Sequence, residues 1–343
     1  MKIIIATLLA VTTFGFLPPA FALEGESIVF NPVTGNYLIT YKNSIDEKFH
    51  QVTFIPATKI NPTFNSKLQL GQDGYVHYGY TLISGLDSQQ DIVHFILDPV
   101  SSVVTTLPDI PLNAPAGQVA IDMLNVAKYF DTPTPWRASM AYSDGQNAFR
   151  IGWRTKVANG MHPGGQAIFG FKSGDLPGII QVEVYGYAPN SQEIPGEETQ
   201  DAKDGGFGQQ YTELVDNNNF LRRNAAAPTI AVPTPFDPAV TLERIQTQMH
   251  TWIAMQLIDP AFSSQLDRYF QSAADTYRNQ GQAGNGQVGR MLALLVQQYE
   301  ELERDDEELV KKKSAVTAQI DKLAALVLYF DLKYVMQHMS GSK

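Results

Sequence analysis

Six histidines come first: His50, His77, His94, His162, His250 and His338. An imidazole can hold a metal or move a proton near neutral pH. Zinc hydrolases announce themselves by HExxH or by two histidines one helical turn apart, and no pair here has that spacing. His94 shares a strand face with Ile92 and Ile96, as a core or edge histidine does. His77 sits among Tyr75, Tyr78 and Tyr80. If neighbouring strands assembled a histidine site, it would combine His50, His77 and His94.

Nucleophiles and carboxylates are no better marked. The chain has no Cys, which removes thiol nucleophiles, thiolate metal sites and disulfides together. It has no G-x-S-x-G elbow, and Ser173 lies in Lys172-Ser173-Gly174-Asp175, a turn between strands. It has no phosphate-cradling glycine loop followed by Lys-Ser or Lys-Thr. Glu183 alternates with Val182 and Val184, which suits an outward strand position. The run from Glu300 to Glu308 reads as a solvated charged face. Asp201 to Gly206 has two Asp and paired Gly, without the ligand spacing or closing Glu of a calcium loop. Trp136, Trp153, Tyr75, Tyr78 and Tyr80 could form a sugar platform, but core packing is the commoner fate of such residues. The sequence therefore assigns no catalytic residue, no metal ligand and no cofactor, and leaves the ligand-binding residues unknown.

Charge narrows the partners. With 25 basic and 35 acidic residues the formal charge is −10. The short basic clusters are Arg222-Arg223 and Lys311 to Lys313. Nucleic-acid binding and adhesion to an anionic membrane, which both draw on basic patches, are not expected.

The elements that must position any site divide the chain in four. Residues 1–22 read as a secretory signal peptide: Lys2, an apolar run over 3–17, then Ala20-Phe21-Ala22 as the cleavage pattern. No later run is long enough to span a membrane. The expected location is periplasmic or extracellular. Residues 24–188 read as β, with alternating segments at 37–41, 51–55, 75–83, 92–97, 137–142, 148–154, 166–171 and 179–187. Turn chemistry separates them, including Asp144-Gly145. Helical spacing of Val119, Met123, Val126 and Phe130 predicts one helix over 116–130. Residues 189–236 read as a flexible linker, polar over 190–210 and stiff, Ala- and Pro-rich over 225–235, with Phe220 and Leu221 between them as docking residues. Residues 237–343 carry four apolar helical stripes, two of them started by Asp237-Pro238 and Asp259-Pro260, where Asp caps and Pro fits the first turn. The expected fold is two-domain: an all-β antiparallel sandwich followed by an all-α four-helix bundle.

Two resemblances sharpen that expectation. Residues 75–187 resemble the Ig-like sandwich modules of exported bacterial proteins. The matching features are Ser88-Gln89-Gln90-Asp91-Ile92 before His94, Pro135-Trp136, Trp153, Pro163-Gly164-Gly165 before Phe169-Gly170-Phe171, and Leu176-Pro177-Gly178. The C-terminal part is similar in helix order to FIMAH-type helical modules, through residues 266–277, the Gly-rich turn and residues 291–299. The first implies a fold and an extracytoplasmic setting; neither implies an activity. The expected role is non-catalytic recognition or scaffolding, with an envelope protein or glycan as partner. A secreted hydrolase or carbohydrate-binding accessory, and an assembly protein oligomerising through the bundle, are the alternatives.

Overall fold

The computed structural model describes residues 25–43, 46–104, 127–143, 148–189, 207–303 and 319–340. The expected signal peptide, most of the 116–130 helix, the Asp144-Gly145 turn, Asp201 to Gly206 and the acidic residues after Glu303 lie outside them. The chain forms two compact units, one from residues 1–56 and 188–219, the other from 57–187 and 220–343.

In the smaller unit, strands β1 (Ser27–Asn31), β2 (Asn36–Lys42) and β3 (Phe49–Phe54) form an antiparallel meander in that order. The first turn follows from its residues. The Asn31 side chain accepts from Val33 N at 2.9 Å, and Gly35 takes the positive φ of 64° that the turn requires. Ile39, Tyr41 and Phe54 form the buried face, closed by Phe207 of helix α1 (Phe207–Asn218).

The larger unit holds two more antiparallel sheets. One has the order β4 (Pro62–Leu70), β5 (Val76–Ser84), β10 (Gln166–Ser173), β7 (Phe130–Asp131). The other has the order β12 (Leu221–Ile230), β11 (Leu176–Gly186), β6 (Ile92–Val100), β9 (Phe149–Arg154), β8 (Arg137–Tyr142). Their inner faces meet through aromatic rings. Phe95 stacks on Trp153 with centroids 4.9 Å apart, and Phe169 meets Phe95 edge-on at 4.8 Å. Tyr80 reaches across and donates its hydroxyl to Ala226 O at 2.9 Å.

Among the described residues four α-helices complete this unit: α2 (Pro238–Ala254), α3 (Pro260–Gln280), α4 (Asn285–Glu303) and α5 (Lys322–Ser340). Asp237 and Asp259 cap α2 and α3, each accepting from two backbone N–H groups with Pro in the first turn. Among the described residues no helix is long and apolar enough to cross a membrane.

The fold departs from the expected two-domain class, a sandwich followed by a separate bundle. The helices are not a separate all-α bundle domain. One continuous core runs from Phe64 and Tyr80 of the sheets through Leu242 and Trp252 of α2 to Val335 and Met339 of α5, and α2 and α5 both lie against β11 and β12. Nor does the chain run strands first and helices second, since α1 precedes β12. Apolar periodicity shows which face of a helix is buried and not what covers it. Two stripes read as facing other helices face a sheet as well. The stretch read as stiff linker is the reason they can. Ala225, Ala226 and Ala227 are fully buried in β12, and their small side chains let helices approach the strand. Gly178, opposite Ala227 on β11, has Gln248 Oε1 of α2 only 3.0 Å from where a Cβ would sit. Pro228 is tolerated because β12 is at the edge of its sheet and the register shifts between Leu176 and Pro177.

Candidate functional site

The histidines named from sequence do not converge. His50 is on β3 of the smaller unit, 2.9 Å from Asp46. His77 and His94 sit on different sheets. His162 pairs with Asp91 and His250 with Asp267, each at 2.8 Å. Among the described residues no group of three or more His, Asp or Glu is placed to hold a metal ion. The aromatic candidates are mostly interior: Trp136, Trp153, Tyr78 and Tyr80 are buried, and Tyr75 is exposed. Ser173 is fully buried, its Oγ 2.7 Å from Ser102 Oγ and accepting from Asp175 N at 3.1 Å; it is the last residue of β10, and the turn expected there begins one residue later, at Gly174.

What does converge is the outer face of the five-stranded sheet. Strand alternation sends Phe95, Leu97, Ile151, Trp153, Val182 and Val184 inward. The residues between them turn outward, and the register aligns them. His94 lies opposite Tyr185 on one side and Arg154 on the other. Arg154 lies opposite Arg137, and Glu183 opposite Arg222. Arg137, Arg150, Arg154 and Arg222 are all exposed.

The centre of the face is a ring stack. His94 and Tyr185 have centroids 5.0 Å apart and planes inclined by 26°. Phe220 continues the row at 5.4 Å from Tyr185, and the Arg222 guanidinium lies over Phe220 at 5.0 Å. Gly152 makes room beneath the imidazole: a Cβ there would stand 3.1 Å from His94 Nε2 and 3.3 Å from Ser139 Oγ. Beside the stack, Arg150 Nε donates to Asp98 Oδ2 at 2.7 Å, and Ser143 Oγ donates to Asp98 Oδ1 at 2.6 Å. The Tyr185 hydroxyl donates to Glu183 Oε2 at 2.7 Å.

Electrostatics fix the protonation of this face. Burial, then the charges of Arg154 and Arg150, push His94 down to about 4, so its imidazole is neutral at pH 7. Burial, then the hydrogen bond to Glu183 and that carboxylate's charge, raise the Tyr185 phenol above its ordinary value. Neither group changes charge near neutrality.

A second polar set is closed to solvent. Asp331 of α5 is fully buried, and neither carboxyl oxygen has a hydrogen-bond partner among the described residues. Burial holds its carboxyl well above the usual range. It lies near the Tyr78 phenol, which burial raises first and the neighbouring Tyr80, Asp331 and Asp175 raise further. With no path to solvent, this set bears on stability rather than ligand contact.

The sequence reading reached the outward position of Glu183 and named Arg222 beside Arg223, but it expected His94 in the core or at an edge rather than on the outer face of an interior strand, and it missed Arg137, Arg150 and Arg154. It sought basic residues adjacent in sequence, whereas Arg137, Arg150, Arg154 and Arg222 come from three strands. The available signal was parity: Arg150 and Arg154 are four residues apart on one strand and so share a face. Comparison with protein-family models, with curated proteins and with solved structures finds no match in any of the three, so the functional reading of this chain rests on its own geometry.

Proposed function

We propose that this is an exported recognition protein that binds its partner through the outer face of the five-stranded sheet and performs no turnover of its own. One observation carries the reading. The face gathers a stacked His94–Tyr185 pair, four guanidiniums and two engaged carboxylates, and its imidazole and phenol keep fixed protonation across neutral pH. General acid–base catalysis asks for a group that titrates near the working pH. Recognition asks for donors and acceptors whose roles do not change, held on a rigid element. The partner is an envelope protein or glycan. Export follows from the reading of residues 1–22, with cleavage after Ala22 and a periplasmic or extracellular destination.

The test pairs binding with turnover on the mature protein. Saturable binding to a purified envelope glycan or protein, lost on Tyr185→Ala, with glycoside, ester, peptide and phosphoester substrates left intact, is the expected result. Hydrolysis abolished by Glu183→Gln or Asp98→Asn would overturn the reading in favour of a secreted hydrolase.

A further inference from the structure

We infer that the ligand of this face is an acidic polysaccharide, a chain of sugars bearing carboxylates. The inference rests on the reading of the face as the binding surface and adds the class of ligand.

Charge is the first reason. The chain as a whole carries −10, yet this face presents Arg137, Arg150, Arg154 and Arg222 against Asp98 and Glu183. Both carboxylates are occupied, Asp98 by Arg150 and Ser143 and Glu183 by the Tyr185 hydroxyl. An excess of guanidinium on an acidic protein is complementary to an anion, and the planar fork of Arg matches a carboxylate through two parallel hydrogen bonds.

Topology is the second reason. β6, β9 and β11 are interior strands, each hydrogen-bonded on both sides. A peptide cannot add here as a further strand. Whatever binds must be read by side chains alone.

The mixture of side chains is the third. Ser139, Gln181 and Asn224 share the face with the arginines, and the neutral His94 imidazole has one donor and one acceptor nitrogen. Such a lining suits a ligand on which hydroxyls are as numerous as charges. A sugar acid has that composition. A DNA strand bears a charge on every unit without the hydroxyls, and its binding draws on a denser basic patch.

The experiment titrates the mature protein with a linear oligogalacturonate, a neutral oligogalactan, polyglutamate and single-stranded DNA. All four are matched in length and used at about 0.15 M salt, where exposed charges are screened beyond about 8 Å. Expected is saturable binding of the oligogalacturonate in preference to the other three. Arg154→Gln should weaken it about tenfold or more, and Arg154→Lys nearly as much, because the fork is lost while the charge stays. Arg137→Gln, at the sheet edge, gives the same readout should the Arg154 variants fold poorly. Equal binding of polyglutamate or DNA would reduce the effect to net charge and overturn the assignment, as would equal binding of the neutral galactan. If none of the four binds while an envelope protein does, and Tyr185→Ala abolishes that binding, the sugar assignment falls and the recognition face stands. If no partner is affected by Tyr185→Ala or Arg154→Gln, both fall.

Discussion

His94 and Tyr185 lie ring on ring across neighbouring strands, with centroids 5.0 Å apart, and burial, then the charges of Arg154 and Arg150, keep the imidazole neutral. The contact joins the register of β6 and β11 to the chemistry of the face. A one-residue slip of either strand would send its own ring to the other side of the sheet and break the contact.

The first consequence is an acid sensitivity of known sign. The folded-state value of His94 is lowered from 6.5 to about 4, so the unfolded chain takes up this proton first. Its contribution to stability is complete above the unfolded value and is lost as the pH falls through 6.5 towards 4. Urea denaturation at about pH 7 and about pH 5 should show a larger loss for the parent than for His94→Gln. An NMR titration placing the imidazole at its ordinary value would contradict the burial of the ring.

Gly152 tests the space under that ring. A methyl group there would meet His94 Nε2 at 3.1 Å and Ser139 Oγ at 3.3 Å. Gly152→Ala should tilt the imidazole, shift the Tyr185 ring resonances, and weaken ligand binding. Stability should change by about 1 kcal/mol or less, since the imidazole can yield. Binding equal to that of the parent would show that the stack does not shape the face.

Asp331 should be a stability liability. Its carboxyl is raised by burial, so the folded state holds a proton that the unfolded state gives up. The resulting penalty is absent below the ordinary carboxylate range and grows as the pH rises above it. Asp331→Asn keeps the shape and cannot ionise. It should stabilise the protein by about 1–3 kcal/mol at neutral pH, the scale of an unpaired buried polar group. Thermal melts should show the gain shrinking as the pH is lowered towards about 4. A variant less stable than the parent at neutral pH would mean that the carboxylate has a partner.

The shared core makes a further claim about the helices. Leu242, Met249 and Trp252 of α2 and Leu332 and Val335 of α5 belong to the same buried cluster as the sheets. A fragment of residues 237–343 should therefore melt without cooperativity, because β11 and β12 are missing from its surface. In the whole chain, Trp252→Ala should cost about 3–5 kcal/mol. A fragment with a sharp melt of its own would restore the separate bundle.

What could be read in the sequence followed the reach of each signal. Asp237-Pro238 and Asp259-Pro260 start helices because capping is decided within four residues. Strand alternation around Phe95, Trp153 and Val182 was plain because a two-residue period is local. The role of Ala225, Ala226 and Ala227 was not. Alanine and proline disfavour strands, and only the neighbouring β11 and the helices seated on it make that stretch a strand. The arginine face was hidden for a related reason: Arg154 meets His94 only once the pairing of β6 with β9 is known.

The most direct measurement is the footprint of the ligand. Amide resonances of the mature protein, followed while the oligogalacturonate is added, should shift on β6, β9 and β11 around His94, Gly152, Arg154, Glu183 and Tyr185. Those of α3 and of the smaller unit should stay still. Saturable binding whose shifts gather on α3 or on β1 to β3, leaving the His94–Tyr185 stack unmoved, would contradict the assignment of this sheet face as the recognition surface.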